Sequence, residues 1–301
     1  MKKIVFAAFF IFICASSTFG DEVDERLSGM ATSELKAGTR HMIRAGVDGE
    51  DAIRLTQAML EYRFSLENAR KAQEVIMRSH EQGLPVGPVM NKAYEGMTKG
   101  IQQGNIIRAM NRVMARYGFA RQQAGELTPR EAQKKRIMKQ IAECVAAGMS
   151  NHDAERLMYR LRYRVQEMPK GEADSLAIET FRAVKDISRL RVHSMKATDL
   201  ALEALKHHYG SREMTRMKHS FMKHARDTSP NTVAEGYINA IQLGNRLESL
   251  DFSSVKGTGK SGGTGSSGGL GRGSAGTGSV GSHGGGAGST GKGSGGSKGG
   301  R

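Results

Sequence analysis

The chain has 301 residues, of which 38% are hydrophobic and none is tryptophan; it carries two cysteines and a formal net charge of +15. Cys14 lies in an apolar leader, so a chain that loses its leader keeps Cys144 alone. That excludes an intramolecular disulfide, a cysteine-held metal site and a c-type haem attachment.

The first 20 residues, MKKIVFAAFFIFICASSTFG, place Lys2 and Lys3 before an apolar run from Ile4 to Cys14, followed by small and polar residues up to Asp21. This pattern predicts a secretory signal over 1–20, cleaved after Gly20 with Ser17 as the alternative. The run is shorter than the about 20 residues a spanning helix needs, so no integral span is expected in the mature chain. Lipid attachment at Cys14 is disfavoured because Ile11, Phe12 and Ile13 precede it. The expected location is outside the cytoplasm, periplasmic or extracellular. Residues 21–31 form an acidic N-terminal segment.

From residue 32 onward no alternating β-branched run occurs. Apolar residues recur instead at spacings of three and four: Ala52, Leu55, Met59, Tyr62, Leu66; then Ile107, Met110, Met114, Tyr117; then Ala154, Leu157, Leu161, Val165, Met168. The spacing predicts amphipathic helices and an all-α fold, either a multi-helix bundle or a short helical-repeat array. Gly46, Gly83, Gly100, Gly148 and Gly210 are the expected helix stops. Thr128, Pro129 and Glu131 predict a capping box with proline at the first helical position, and Ser229 with Pro230 a second helix start. Ala45, Gly46, Asp51, Ala52, Arg54 and Leu55 return in order as Ala147, Gly148, Asp153, Ala154, Arg156 and Leu157. That repeat divides the chain into two diverged halves, 32–127 and 128–252, the second ending in a final helix. Cys144 shares an apolar spacing with Ile137 and Ile141 and is expected to be buried.

The stretch GLPVGPVMNKAYEGMTKG, residues 83–100, looks like a ligand loop but reads more economically as helix grammar. Gly83 stops one helix, Pro85 or Pro88 starts the next, and Val86, Met90, Ala93, Met97 and Ile101 form its apolar stripe. Glu95 and Lys99 make a favourable i,i+4 pair. Gly96, costly inside a helix, is expected to admit a close crossing by another helix. The functional alternative is an anion held at the helix start by Gly87 and Lys92. Asn91, Lys92, Glu95, Gly96, Lys99 and Gly100 also resemble an NKxxEGxxKG pattern of uncharacterised exported bacterial helical proteins, over about 35 residues. The resemblance implies export and a helical fold and no activity.

Residues 21–127 hold 15 basic and 14 acidic groups, 128–228 hold 21 and 13, 229–251 hold one and three, and 252–301 hold six and none. Positive charge therefore belongs to the second half and the tail. Arg156, Arg160 and Arg164 are expected along one helical row with Tyr159 and Tyr163 beside it, a pattern suited to an anionic polymer or, failing that, to a solvated face. Nucleic acid is a less expected partner than an envelope polymer or another protein. Met214, Met217 and His224 share one helical face and supply soft ligands for Cu(I), the alternative being core methionine. No nucleophile, HExxH or adjacent acid pair marks a hydrolase of cell-wall polymer, so the sequence predicts no enzyme and no cofactor. Residues 253–301, rich in Gly and Ser without glycine at every third position, predict a disordered tail and exclude collagen. The expectation as a whole is an exported helical interaction or scaffold protein with weak attachment to anionic envelope surfaces.

Overall fold

The structure, a computed structural model, describes residues 18–166 and 168–245. Most of the expected signal segment and the whole Gly/Ser tail lie outside the described residues. The described residues form twelve helices and no strand: α1 Thr18–Arg26, α2 Ser33–Arg44, α3 Gly49–Glu61, α4 Leu66–Glu81, α5 Val86–Thr98, α6 Gln103–Leu127, α7 Glu131–Ala146, α8 Asn151–Val165, α9 Lys170–Arg189, α10 Ser194–Lys206, α11 Ser211–His224 and α12 Pro230–Gln242. None of them is long and apolar enough to cross a membrane.

The helices pack in two rows. α2, α4, α6, α8, α10 and α12 are successive neighbours in one; α1, α3 and α5, then α7, α9 and α11, are neighbours in the other. The second row is interrupted, because α5 and α7 do not pack along each other. Between the rows runs one continuous apolar core, from Leu35 and Met42 to Tyr237 and Ile241.

One junction recurs and sets the spacing of the array. A residue of positive φ ends a helix, an apolar residue follows, and the third position caps the next helix. The apolar residue donates its backbone N–H to the carbonyl five residues back: Val47 to Met42, Phe64 to Met59, Leu84 to Ser79, Ile101 to Gly96, Met149 to Cys144 and Tyr209 to Ala204. This is the Schellman arrangement, which satisfies carbonyls that the helix end leaves open. Gly46, Gly83, Gly100 and Gly148 hold the left-handed position as the sequence indicates. Gly210 does not: His208 takes the left-handed turn, and Gly210, with φ −88, is the N-cap of α11. Arg63 and Arg191 also adopt positive φ. Arg63 splits the apolar run 52–66 in two, leaving Tyr62 and Leu66 exposed at the break.

The predicted capping box does not form. Thr128 is the extended residue closing α6, Arg130 caps α7 without a side-chain bond, and Glu131 pairs with Lys134. Ser229 and Pro230 do start α12, with proline in the first turn.

The internal repeat is a structural equivalence. Gly46 and Gly148 have φ of 102 and 106. Asp48 and Ser150 accept from the backbone N–H of Asp51 and Asp153, both at 3.0 Å. Arg54 and Arg156 pair with those same two aspartates. The segment 21–31 is more than acidic: Val23 and Leu27 are fully buried against Ile53, and Asp24 pairs with Lys36 and Arg40. Cys144 is buried and donates its thiol to the Phe181 carbonyl at 2.8 Å; burial pushes its pKa far up, so it is inert.

Candidate functional site

α8 begins where Ser150 caps it and buries Ala154, Leu157, Met158 and Leu161, which fixes the opposite stripe in solvent. Tyr159 is 73% exposed and Tyr163 57%, unusual for aromatic rings. The Arg160 guanidinium lies 5.6 Å from the centroid of the Tyr163 ring, an exposed cation–π contact of about 0.5–1 kcal/mol. No carboxylate pairs with Arg160 among the described residues. The centre of this face is thus a partly exposed cation in contact with one exposed ring, Tyr163, with a second, Tyr159, next to it in the chain.

The expected three-arginine row is broken on both sides of it. Arg156 is held by Asp153 at 3.3 Å and by Asp199 at 3.0 Å. Arg164 is buried, its Nη2 donating to the His208 carbonyl at 3.4 Å and its Nε meeting no partner. The cause is helical drift. Each step of four residues turns about 40° past a full circle, so two steps carry Arg164 about 80° from Arg156 and toward α10. Arg162, off the row, is fastened to Glu126.

At the start of α5, Pro85 is the N-cap and provides no side-chain bond, and the space around Gly87 is open. Lys92 is not turned to that start: its Nζ lies 2.6 Å from Glu95, which Lys99 also reaches at 2.6 Å. The two ammonium groups hold the Glu95 carboxyl down at about 2. Gly96 has its reason in packing, since a Cβ there would sit 2.6 Å from Cγ1 of Ile106 on α6. The stretch 83–100 is therefore a turn, a helix and a close crossing, although its turn also walls a cleft described below.

Met214 and Met217 lie in the core at 0% and 1% exposure, packed with the same cluster as Phe221 and Tyr237. His224 Nδ1 is 2.9 Å from the Tyr237 hydroxyl. The soft-ligand trio expected from the sequence is thus two core thioethers and a histidine engaged by tyrosine. Among the described residues no group of three or more His, Cys, Asp or Glu is arranged to hold a metal.

Two sets of residues went unread in the sequence. One is the outward direction of both tyrosines on α8, for which the apolar positions 154, 157, 158 and 161 were the available signal. The other is Lys135 and Lys139 on α7, four apart and both exposed, which face Tyr117 of α6. No family model matches this chain, and neither the curated proteins nor the solved structures provide a match.

Proposed function

We propose that this protein is an exported helical interaction scaffold that meets an anionic polymer of the cell envelope through the outer face of α8. The observation that carries this reading is Arg160, partly exposed and without a carboxylate partner among the described residues, beside the exposed rings of Tyr159 and Tyr163. A guanidinium forms charge-assisted bonds to phosphate or carboxylate, and flanking rings add contact area at low entropic cost. The excess of basic residues in 128–228 and in the tail supports the same reading, because it raises the local concentration of any polyanion. Export rests on Lys2, Lys3 and the apolar run that follows them. The role is binding and display rather than catalysis, with Arg156 and Arg162 of α8 taken up by ion pairs to Asp153, Asp199 and Glu126.

Co-sedimentation of the mature protein with isolated envelopes, at low and high salt, tests the proposal. Binding is expected to weaken with salt and to fall at least about tenfold in Arg160→Gln combined with Tyr159→Ser and Tyr163→Ser, from a charge-assisted hydrogen bond worth about 1.5–3 kcal/mol. Removal of residues 257–301 is expected to weaken it further. Equal binding by the triple variant would overturn the assignment of α8.

A further inference from the structure

The interruption between α5 and α7 leaves a cleft of about 380 Å³. Its existence follows from chain geometry: α6 is 25 residues long and carries α7 back beside itself, so α7 lines up with α6 and not with α5. One wall is the junction before α5 and the first turn of that helix, where the apolar residues Leu84, Pro85 and Pro88 line the cleft. Met138 of α7 continues that apolar wall. The remaining side chains are polar and have no protein partner among the described residues. Tyr117 is mostly buried, yet its hydroxyl forms no hydrogen bond with any described residue. Lys135 and Lys139 stand one turn apart on the rim, and neither has a carboxylate within ion-pair distance among the described residues.

Two other lysines of this region are matched by carboxylates. Lys134 pairs with Glu131, and Lys185 with Glu143. Arg121 adds to the positive side of the cleft, donating to the Gln82 carbonyl next to Gly83. The acids nearest in effect do not compensate: Glu131 is taken by Lys134 and Glu143 by Lys185. Burial raises the pKa of Tyr117, which keeps its hydroxyl a neutral donor at physiological pH. A concave apolar wall with a few convergent polar groups is the usual form of a small-ligand site, and this volume is at the lower end of the about 300–1,000 Å³ such sites occupy.

We propose that the cleft binds a small amphiphilic carboxylate, its apolar body against Leu84, Pro85, Pro88 and Met138 and its carboxylate between Lys135 and Lys139, with the Tyr117 hydroxyl as a further donor. Two ammonium groups one turn apart match a single carboxylate, and the volume suits a short apolar body. The site is separate from α8 and stands or falls independently of it.

The test is calorimetric titration of the mature protein with octanoate, with octanol and octylammonium as neutral and cationic probes of the same chain length. Octanoate is expected to bind saturably and at least tenfold more tightly than octanol, while octylammonium does not bind. Lys135→Gln with Lys139→Gln should remove that preference and leave octanol unchanged; both positions are exposed, so circular dichroism should be unaffected. Met138→Gln should weaken octanoate and octanol alike, and Arg160→Gln should weaken neither. Equal affinity for octanoate and octanol, an unchanged preference in the double lysine variant, or no saturable binding of octanoate would each overturn the proposal.

Discussion

The two halves of the array share one turn and close their interiors by different chemistry. In the first half the buried polar residues, Thr39, Thr56, Gln73, Ser79 and Gln123, are all neutral. Thr39 and Thr56 bond to each other at 2.9 Å, and Gln73 Nε2 donates to both hydroxyls and to the Leu35 carbonyl. Gly38 leaves room for that amide, since a Cβ would meet Oε1 of Gln73 at 2.2 Å. In the second half the buried set includes Asp153, Arg164, Asp174, Lys185 and Lys218. Lys185 reaches Glu143 at 2.7 Å and Gln140 at 3.3 Å; Lys218 reaches Asp186 at 3.5 Å; Asp174 is met by Arg130. The lesson is that a common helix-turn grammar leaves the choice of interior open. The half that buries ions is also the half with excess positive charge, because long basic stems cover apolar surface while their heads find partners or water.

The difference can be broken most forcefully at Lys185. Lys185→Met strands Glu143, and a buried pair that loses one partner typically costs about 3–5 kcal/mol. Glu143 keeps partial access to water, at 28% side-chain exposure, so the expected loss is about 2–3 kcal/mol. Adding Glu143→Leu should restore most of it, as read from urea unfolding midpoints. If the single variant costs nothing, the ionic interior has no energetic meaning.

Gln73→Leu probes the first half by the same measurement. It removes the amide but leaves one threonine hydroxyl donating to the other and the second donating to its own helix carbonyl, Leu35 or Ala52, so about 1–2 kcal/mol is expected. Neutral groups carry this loss, which should therefore be independent of ionic strength. A salt-dependent loss would erase the contrast.

The smallest effect is at the surface, on Glu95. Its folded pKa lies at about 2, below its ordinary 4.5. A depressed carboxylate stabilises the fold fully above its unfolded value, and that contribution is lost as pH falls through the folded one. Melting temperatures of the wild type and Glu95→Gln should differ slightly above pH 4.5 and converge near pH 2. A gap that widened on acidification would contradict the sign.

Much of this architecture is legible in the residue order. Glycine at 46, 83, 100 and 148 marks the left-handed turns because it adopts them without a Cβ clash, and Gly96 announces the crossing by Ile106. The turns at Arg63 and Arg191 are silent, since arginine has no special preference for positive φ, and the turn at His208 is masked by Gly210 two residues on. Thr128 misleads for a related reason: three residues fit a capping box, but Thr128 closes α6 and α7 starts only at Glu131, two residues later than the box requires. On α8 the sequence shows an arginine row, whereas helical drift and a neighbour, α10, decide which arginine remains open. The cleft draws on residues 84–139 of four separate segments, and no local window holds that information.

The recurrent junction also constrains how such a chain can change its length. Its three positions have separate duties: reversal, anchoring and restart. Inserting one residue into Gly46–Val47–Asp48 would unseat the anchor or rotate α3 by about 100°, turning an apolar face outward. Deleting one would remove a duty altogether. Lineages of this chain should therefore vary by whole helices rather than by loop length, and the 102-residue spacing between Gly46 and Gly148 reads as the size of a duplicated block.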